Sequence, residues 1–406
     1  MALYRASEYG HSRLKGRKIL AIALVVVIAA ALSGVSFWHH KPQTAPVAAT
    51  HQNRESVTHP ATARDAPTEV SGKYLFSGTV VLARDVERYA AGNYSQPFSG
   101  MSTLGTYDAH IGVLECPVTN NPDSFENEVQ NLIFNCKPAW VSTLKNYFPI
   151  LNLSSDHLND QSSQGIANTF KVLQQTGIQT VGTYDPSSLS DDCKAVILPV
   201  RVQSSSGKTT SASMPVAMCS YNYKWLFSPK PGQLESIKKW SKVMPVIALF
   251  NHGPEYQLTA DSQTTAIAHK MIDYGADFVI GNGTHWAGNT EVYKGKLIVY
   301  SMGNFIFDQL DYKGRIALNL SVTMTIAYNQ NVAKWMGSSD RCMAQAEACL
   351  TMAQQEQLAK ITPQYRFDVV GSYGGDGRVA TKANAQQQAD IEKIANWPAT
   401  QQQLGE

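Results

Sequence analysis

Charge is scarce in this chain. Asp, Glu, Lys and Arg together make up 16% of its 406 residues and hydrophobic residues 43%, against a usual charged share of about a quarter. A sizeable core can therefore be buried, in one large domain with appendages or in two domains. Positive charge is lacking outside the N-terminus. Residues 1–18 hold Arg5, Arg13, Lys15, Arg17 and Lys18 against Glu8, so the chain's net +2 leaves the remainder at −2. A nucleic-acid-binding domain needs a basic surface, so that class is disfavoured. No C-x-x-C pair occurs among the six cysteines, which removes the usual spacing of a structural zinc site. No internal repeat is present, and no cysteine precedes Cys116.

One long apolar run is present. From Ile19 to Trp38 the chain carries no charge, and a helix of that length spans roughly 30 Å, the hydrocarbon core of a bilayer. The basic cluster before it predicts an N-terminus in the cytoplasm and the rest of the chain outside. A cleaved signal peptide is the rival reading, since Ala29-Ala30-Ala31 supplies small residues, but the run exceeds the roughly 7–15 residues of a signal h-region. All six cysteines then fall on the oxidising side. Proximity pairs Cys116 with Cys136, Cys193 with Cys219 and Cys342 with Cys349; buried free thiols are the alternative. Residues 39–72 are rich in Ala, Thr and Pro without an apolar period and read as a flexible tether.

From Lys73 short apolar runs alternate with helical segments. Strands are expected at 73–83, 109–115, 148–154, 193–200, 244–250, 276–282, 289–294 and 296–301, and returning strands at 316–327 and 363–371. Helices are expected at 164–177, 232–242 and 259–275; in the last, Ile267, Met271 and Tyr274 recur at helical spacing before Gly275. Such alternation predicts an α/β layered fold with a mainly parallel sheet, whose functional loops follow the carboxyl ends of its strands. The division expected is a basic tail (1–18), an anchor (19–38), a linker (39–72), an α/β domain (73–330) and a C-terminal extension (331–406) ending in a Gln/Ala-rich helix with a frayed end.

Several strands run into polar residues. These are Gly78-Thr79; Glu115; Asp156, His157 and Asp160; Asn251, His252 and Glu255; and the Gly281-Asn282-Gly283-Thr284-His285 loop. If the sheet is parallel these ends converge, and carboxylates gathered with imidazoles suit a divalent metal whose bound water becomes a nucleophile near neutral pH. Each residue also has a plainer reading. Asp156 and Asp160 can cap and charge a helix start, a lone loop His is commonly just hydrogen-bonded, and Gly281 and Gly283 can simply permit a turn.

The order of these blocks resembles the bacterial capsule synthesis CapA family, the poly-γ-glutamate capsule biosynthesis proteins, over residues 74–308. The blocks are Leu114-Glu115, Ser155-Asp156-His157 with Asp160, Asn251-His252-Gly253-Pro254-Glu255-Tyr256, the run Ile272–Gly281, and Tyr300-Ser301-Met302-Gly303-Asn304-Phe305. The resemblance implies a layered α/β sandwich similar to the calcineurin-like metallophosphoesterases, preceded by a single transmembrane helix. It also implies a role in making, exporting or attaching an anionic capsular polymer, with other membrane proteins of a capsule complex as partners. Three positions depart from the family pattern: Thr79 stands for an Asp, Asn251 for a His and Gly283 for a His. A hydroxyl cannot replace a carboxylate as a charged ligand, so the expected metal site is degenerate. Gly303 and Asn304 read as architectural, one allowing a close approach and the other tying loops through its amide.

Three functions follow as expectations. The first is a membrane-anchored capsule-polymer factor with a degenerate pocket. The second is a metal-dependent hydrolase or transferase using Mn, Fe, Zn or Mg. There Glu115, Asp156, His157 and His285 hold the ion, Asn251 assists weakly, and His252, Glu255 or His285 serves as acid or base. The third is a structural envelope protein that keeps only the fold.

Overall fold

A computed structural model describes residues 65–405 apart from 122–123, 190, 225–226, 345 and 376–377. The expected basic tail, the anchor and the linker up to residue 64 lie outside the described residues. Among the described residues no helix is long and apolar enough to cross a membrane.

The strands are β1 (Pro67–Val80), β2 (Ala109–Leu114), β3 (Ile150–Asn152), β4 (Gln179–Val181), β5 (Cys193–Ser204), β6 (Thr209–Asn222), β7 (Val246–Asn251), β8 (Phe278–Asn282), β9 (Thr290–Tyr293), β10 (Lys296–Val299), β11 (Asn304–Ile306), β12 (Ile316–Ala327), β13 (Gln364–Gly374) and β14 (Ala380–Lys382). The helices are α1 (Arg84–Ala90), α2 (Phe125–Asn131), α3 (Val141–Tyr147), α4 (Ser162–Thr176), α5 (Glu235–Ser241), α6 (Ser262–Asp273), α7 (Tyr312–Arg315), α8 (Gln330–Gly337), α9 (Ser339–Ala344), α10 (Ala346–Gln355), α11 (Ala385–Ala395) and α12 (Trp397–Leu404). β1 begins inside the stretch expected to be tether, because Glu69, Val70 and Ser71 already pair with both β5 and β12. The C-terminal end is not frayed: α12 packs on β9, and Thr290 Oγ1 donates to the carbonyl of Ala395 at 2.7 Å.

β1 is the hinge of the architecture. Its first half runs between β5 and β12, both antiparallel to it. Its second half turns to β2 and β11, both parallel to it. The parallel row β1-β2-β3-β4 thus peels away from the row β5-β6-β7-β8-β10-β9. Side chains of the two rows meet face to face, Phe76 and Ile111 from one with Leu249 and Ile280 from the other. Alternation along each strand explains the layering. Tyr74 and Phe76 enter this inner core, whereas Leu75 on the opposite face joins Leu114, Leu151 and Trp140 in a second core under α1, α3 and α4. Each fully buried Val, Leu or Phe contributes about 1.5–3 kcal/mol. α5 and α6 cover the far face of β6, β7 and β8. The strands that bear the polar ends are parallel, as expected, but β5–β6 and β12–β13–β14 are antiparallel, so the sheet is mixed.

Local chemistry sets the helix ends. Asp261 caps α6 by accepting the amide of Thr264 at 2.7 Å, and Gly275 after it takes φ +109°. α4 stops at Gly177, also left-handed. The three disulfides pair as proximity predicted, Cys116–Cys136, Cys193–Cys219 and Cys342–Cys349, and no described cysteine is free.

A charge-balanced pocket at the carboxyl edge

Thr79, Glu115, Asp156, Asn251 and Asn282 sit at or just beyond the carboxyl ends of β1, β2, β3, β7 and β8. Because these strands run parallel, their ends share one edge. Glu115 is 1% exposed, and burial pushes its carboxyl pKa up, against the pull of His285, His157 and Lys224. Its Oε2 accepts the hydroxyl of Thr79 at 3.2 Å, and Thr79 in turn accepts the amide of Asn282 at 2.7 Å. Thr79 is therefore a relay between a carboxylate and an amide, which a charged Asp could not be.

Asp156 opens a short 3-10 turn capped by Ser155, whose hydroxyl accepts the amide of His157. Asp156 is not itself the cap. Its Oδ1 accepts Asn251 Nδ2 at 3.0 Å, and the same amide reaches Asn222 Oδ1 at 3.1 Å. Burial raises the Asp156 pKa, but His157, Lys224 and Asn251 outweigh it and hold the group below its ordinary value. His157 Nδ1 lies 2.8 Å from Asp160 Oδ2, and its ring stacks on Phe134 at 4.1 Å between centroids. Burial lowers this imidazole; the bond and charge of Asp160, with Asp156 and Glu115, overcome that and push it up to about 9.

His285 stands in the left-handed region at φ +62°, a rare conformation for a side chain of its size. Its Nδ1 meets Asn304 Oδ1 at 3.1 Å, and its Nε2 lies 3.7 Å from Glu255. Burial pulls its pKa down, but Glu255, Glu115 and Asn304 raise it overall. Burial likewise pushes Glu255 up, and His285 and Lys224 more than reverse it. Tyr256, also at positive φ, stacks on His285, and Gln309 links its hydroxyl to Asn304. The architectural reading of Gly303-Asn304 holds. A Cβ on Gly78 would stand 1.9 Å from the Gly303 carbonyl, which itself accepts the amide of Thr79.

His252 is not gathered with these groups. Strand alternation sends Asn251 to Asp156 and His252 the other way, where its Nδ1 meets Thr264 Oγ1 of α6 at 2.9 Å. An acid or base role for His252 toward Glu115 and Asp156 does not follow from this placement.

Sequence reasoning missed Lys224, just past the end of β6. It is 4% exposed, and its ammonium donates to the carbonyls of Gly253 at 3.0 Å and Gly283 at 2.5 Å, 3.8 Å from Glu255. Its signal was a lone cation ending the apolar run Met214–Tyr223. Gly283 serves this contact: at φ +105° it turns its carbonyl to the ammonium, and a Cβ there would lie 2.2 Å from Asn251 Oδ1.

These groups do not compose a metal centre of the kind the sequence pattern raised. Among the described residues no three His, Cys, Asp or Glu side chains come together in a way that could hold a metal ion. Both imidazoles are tied to carboxylate or amide oxygens, and one cationic side chain already lies among the acids. Glu115 Oε1, Asn251 Oδ1 and Asn282 Oδ1 are buried acceptors without a protein partner, a set of oxygens and not of imidazoles. The pocket instead balances its charges internally. Asp160 pairs with His157, and Glu255 lies beside both His285 and Lys224, while burial pushes the carboxyl of Glu115 up. In such an array the partly open Glu255, held by His285 and Lys224, is the group placed to accept a proton from a bound molecule.

Fold and site together define a layered α/β protein with a polar pocket at the carboxyl edge of its parallel strands. Residues 73–309 match the model of the bacterial capsule synthesis protein PGA_cap, and the chain belongs to that family. It is 27% identical over 220 residues to the capsule biosynthesis protein CapA of Bacillus anthracis, covering 51% of this chain and 52% of that one. It is 27% identical over 250 residues to the PGA biosynthesis protein CapA of Bacillus subtilis (strain 168), covering 58% and 63%. The chain thus matches between half and two thirds of the length of these relatives. The crystal structure of TT1561 of Thermus thermophilus aligns at 11% identity and a TM-score of 0.34, over 61% of this chain and 93% of that one.

Proposed function

We propose that this protein acts in the synthesis, export or attachment of an anionic capsular polymer of the poly-γ-glutamate type. It works from the outer face of the cell membrane, held there by an anchor at residues 19–38 and joined to other membrane proteins of a capsule complex. The observation that carries the reading is that the whole polar pocket, from Thr79 to Asn304, lies inside the segment that matches the capsule synthesis family. His285, buried 3.7 Å from the part-exposed Glu255, orders the charged groups of that pocket. The three disulfides fit an oxidising compartment. The test is deletion of the gene and complementation with the parent or with His285→Ala at matched protein levels, reading anionic polymer on the cell surface. Loss on deletion, rescue by the parent and no rescue by the variant is the expected pattern. Unchanged polymer in the deletion strain would rule the reading out.

A second reading, a hydrolase or transferase acting on a surface polymer, is favoured by the Glu255–His285 pair, a carboxylate held below its ordinary pKa 3.7 Å from an imidazole held above its own, which can serve as acceptor and donor of one proton. Shortening of polymer chains by the purified protein, abolished in Glu255→Gln, would select it.

A further inference from the structure

We propose that Lys224 is the resident cation of this pocket, standing among its acids where a bound metal ion would otherwise have to stand. The inference deepens the reading above, on which it rests for the importance of the pocket. Four observations carry it. The ammonium is buried and held on two backbone carbonyls from separate loops, after β7 and after β8, so its position is set by the fold and not by side-chain chance. Those loops are shaped for it, since Gly253 and Gly283 both take positive φ, at +103° and +105°. One acid, Glu255 at 3.8 Å, comes from the same loop as Gly253, and the charges of Asp156 and Glu115, from two further points of the chain, lie within its field. Finally, Asn251, Thr79 and Gly283 each stand where a charged or imidazole ligand was expected, and each bonds a charged group of the pocket instead, Asn251 to Asp156, Thr79 to Glu115 and Gly283 to the ammonium.

A buried charge is tolerated when it is paired and hydrogen-bonded, and an ammonium and a divalent ion cannot share one set of oxygens. Removing the ammonium frees the carbonyl oxygens of Gly253 and Gly283 beside the Glu255 carboxylate, hard oxygen donors of the kind that Mn²⁺ or Mg²⁺ takes. The lysine and the metal are therefore alternatives.

The test uses the full-length chain purified in mild detergent, dialysed against MnCl₂ and assayed for bound metal and for thermal unfolding. The parent should retain no stoichiometric Mn²⁺ and show no shift of its melting temperature. Lys224→Ala should retain one equivalent and melt higher with Mn²⁺ than without it, or fold only in its presence. Stoichiometric Mn²⁺ in the parent overturns the inference, and so does a folded Lys224→Ala that stays indifferent to the metal. If Lys224→Ala folds under neither condition, Lys224→Met is compared with the double variant Lys224→Met, Glu255→Gln. Recovery of folding in the double variant supports the ammonium as the counter-ion of Glu255, and no recovery overturns it. None of these outcomes depends on the surface-polymer measurement, so the two readings fail separately.

Discussion

Asp160→Asn removes the carboxylate that pairs with His157 in the pocket. His157 and Asp160 keep only 20% and 15% of their side chains exposed and lie 2.8 Å apart. The imidazole is pushed from its ordinary 6.5 up to about 9. Its folded pKa therefore exceeds its unfolded one. The stabilisation is complete below about pH 6.5 and is lost as pH rises through about 9. The full shift corresponds to about 3 kcal/mol, and residual solvent screening brings the expected contribution to about 2 kcal/mol. Asn keeps an oxygen for the amide of Phe134, which Asp160 Oδ2 accepts at 2.7 Å, so the substitution removes charge and little else. Urea unfolding of parent and variant should differ by about 2 kcal/mol near pH 6 and converge near pH 10. Parallel stability curves for the two proteins across that range would refute the assignment of the shift to Asp160.

Two further outcomes follow from named contacts. Thr79→Val removes the hydroxyl between Glu115 and Asn282, stranding two buried groups, and should cost about 2 kcal/mol or more in urea unfolding, whereas Thr79→Ser should cost little. Equal losses in the two variants would point to packing instead of the relay. Replacing both Cys116 and Cys136 by Ser opens a loop of sequence separation 20 and should lower stability by about 3 kcal/mol, with an unchanged denaturation midpoint counting against the link.

Much of the pocket was legible because strand ends announce themselves. The run ADFVIGN reads as a strand, the next residues as its loop, and a parallel sheet brings such loops to one edge; β8 and His285 stand where that logic puts them. β6 was not legible. Its first residues are Ser and Thr, and Pro215 argues against a central strand. The proline is tolerated because pairing with β7 begins only at Ala217, so the amide that proline lacks is not needed there. Missing β6 meant missing Asn222 and Lys224, which follow from its carboxyl end.

By itself the sequence determined the kind and order of elements, the proximity of the cysteine partners and the identity of the strand-end residues, because these depend on local periodicity and spacing. Tertiary structure alone decided which of those residues face one another. Asn282 reaches Thr79 across 203 positions of chain, and Lys224 reaches carbonyls 29 and 59 positions away. Whether a buried acid is neutralised by a metal or by a lysine depends on where such distant loops come to rest. That is a property of packing and burial, and no pattern along a single strand encodes it.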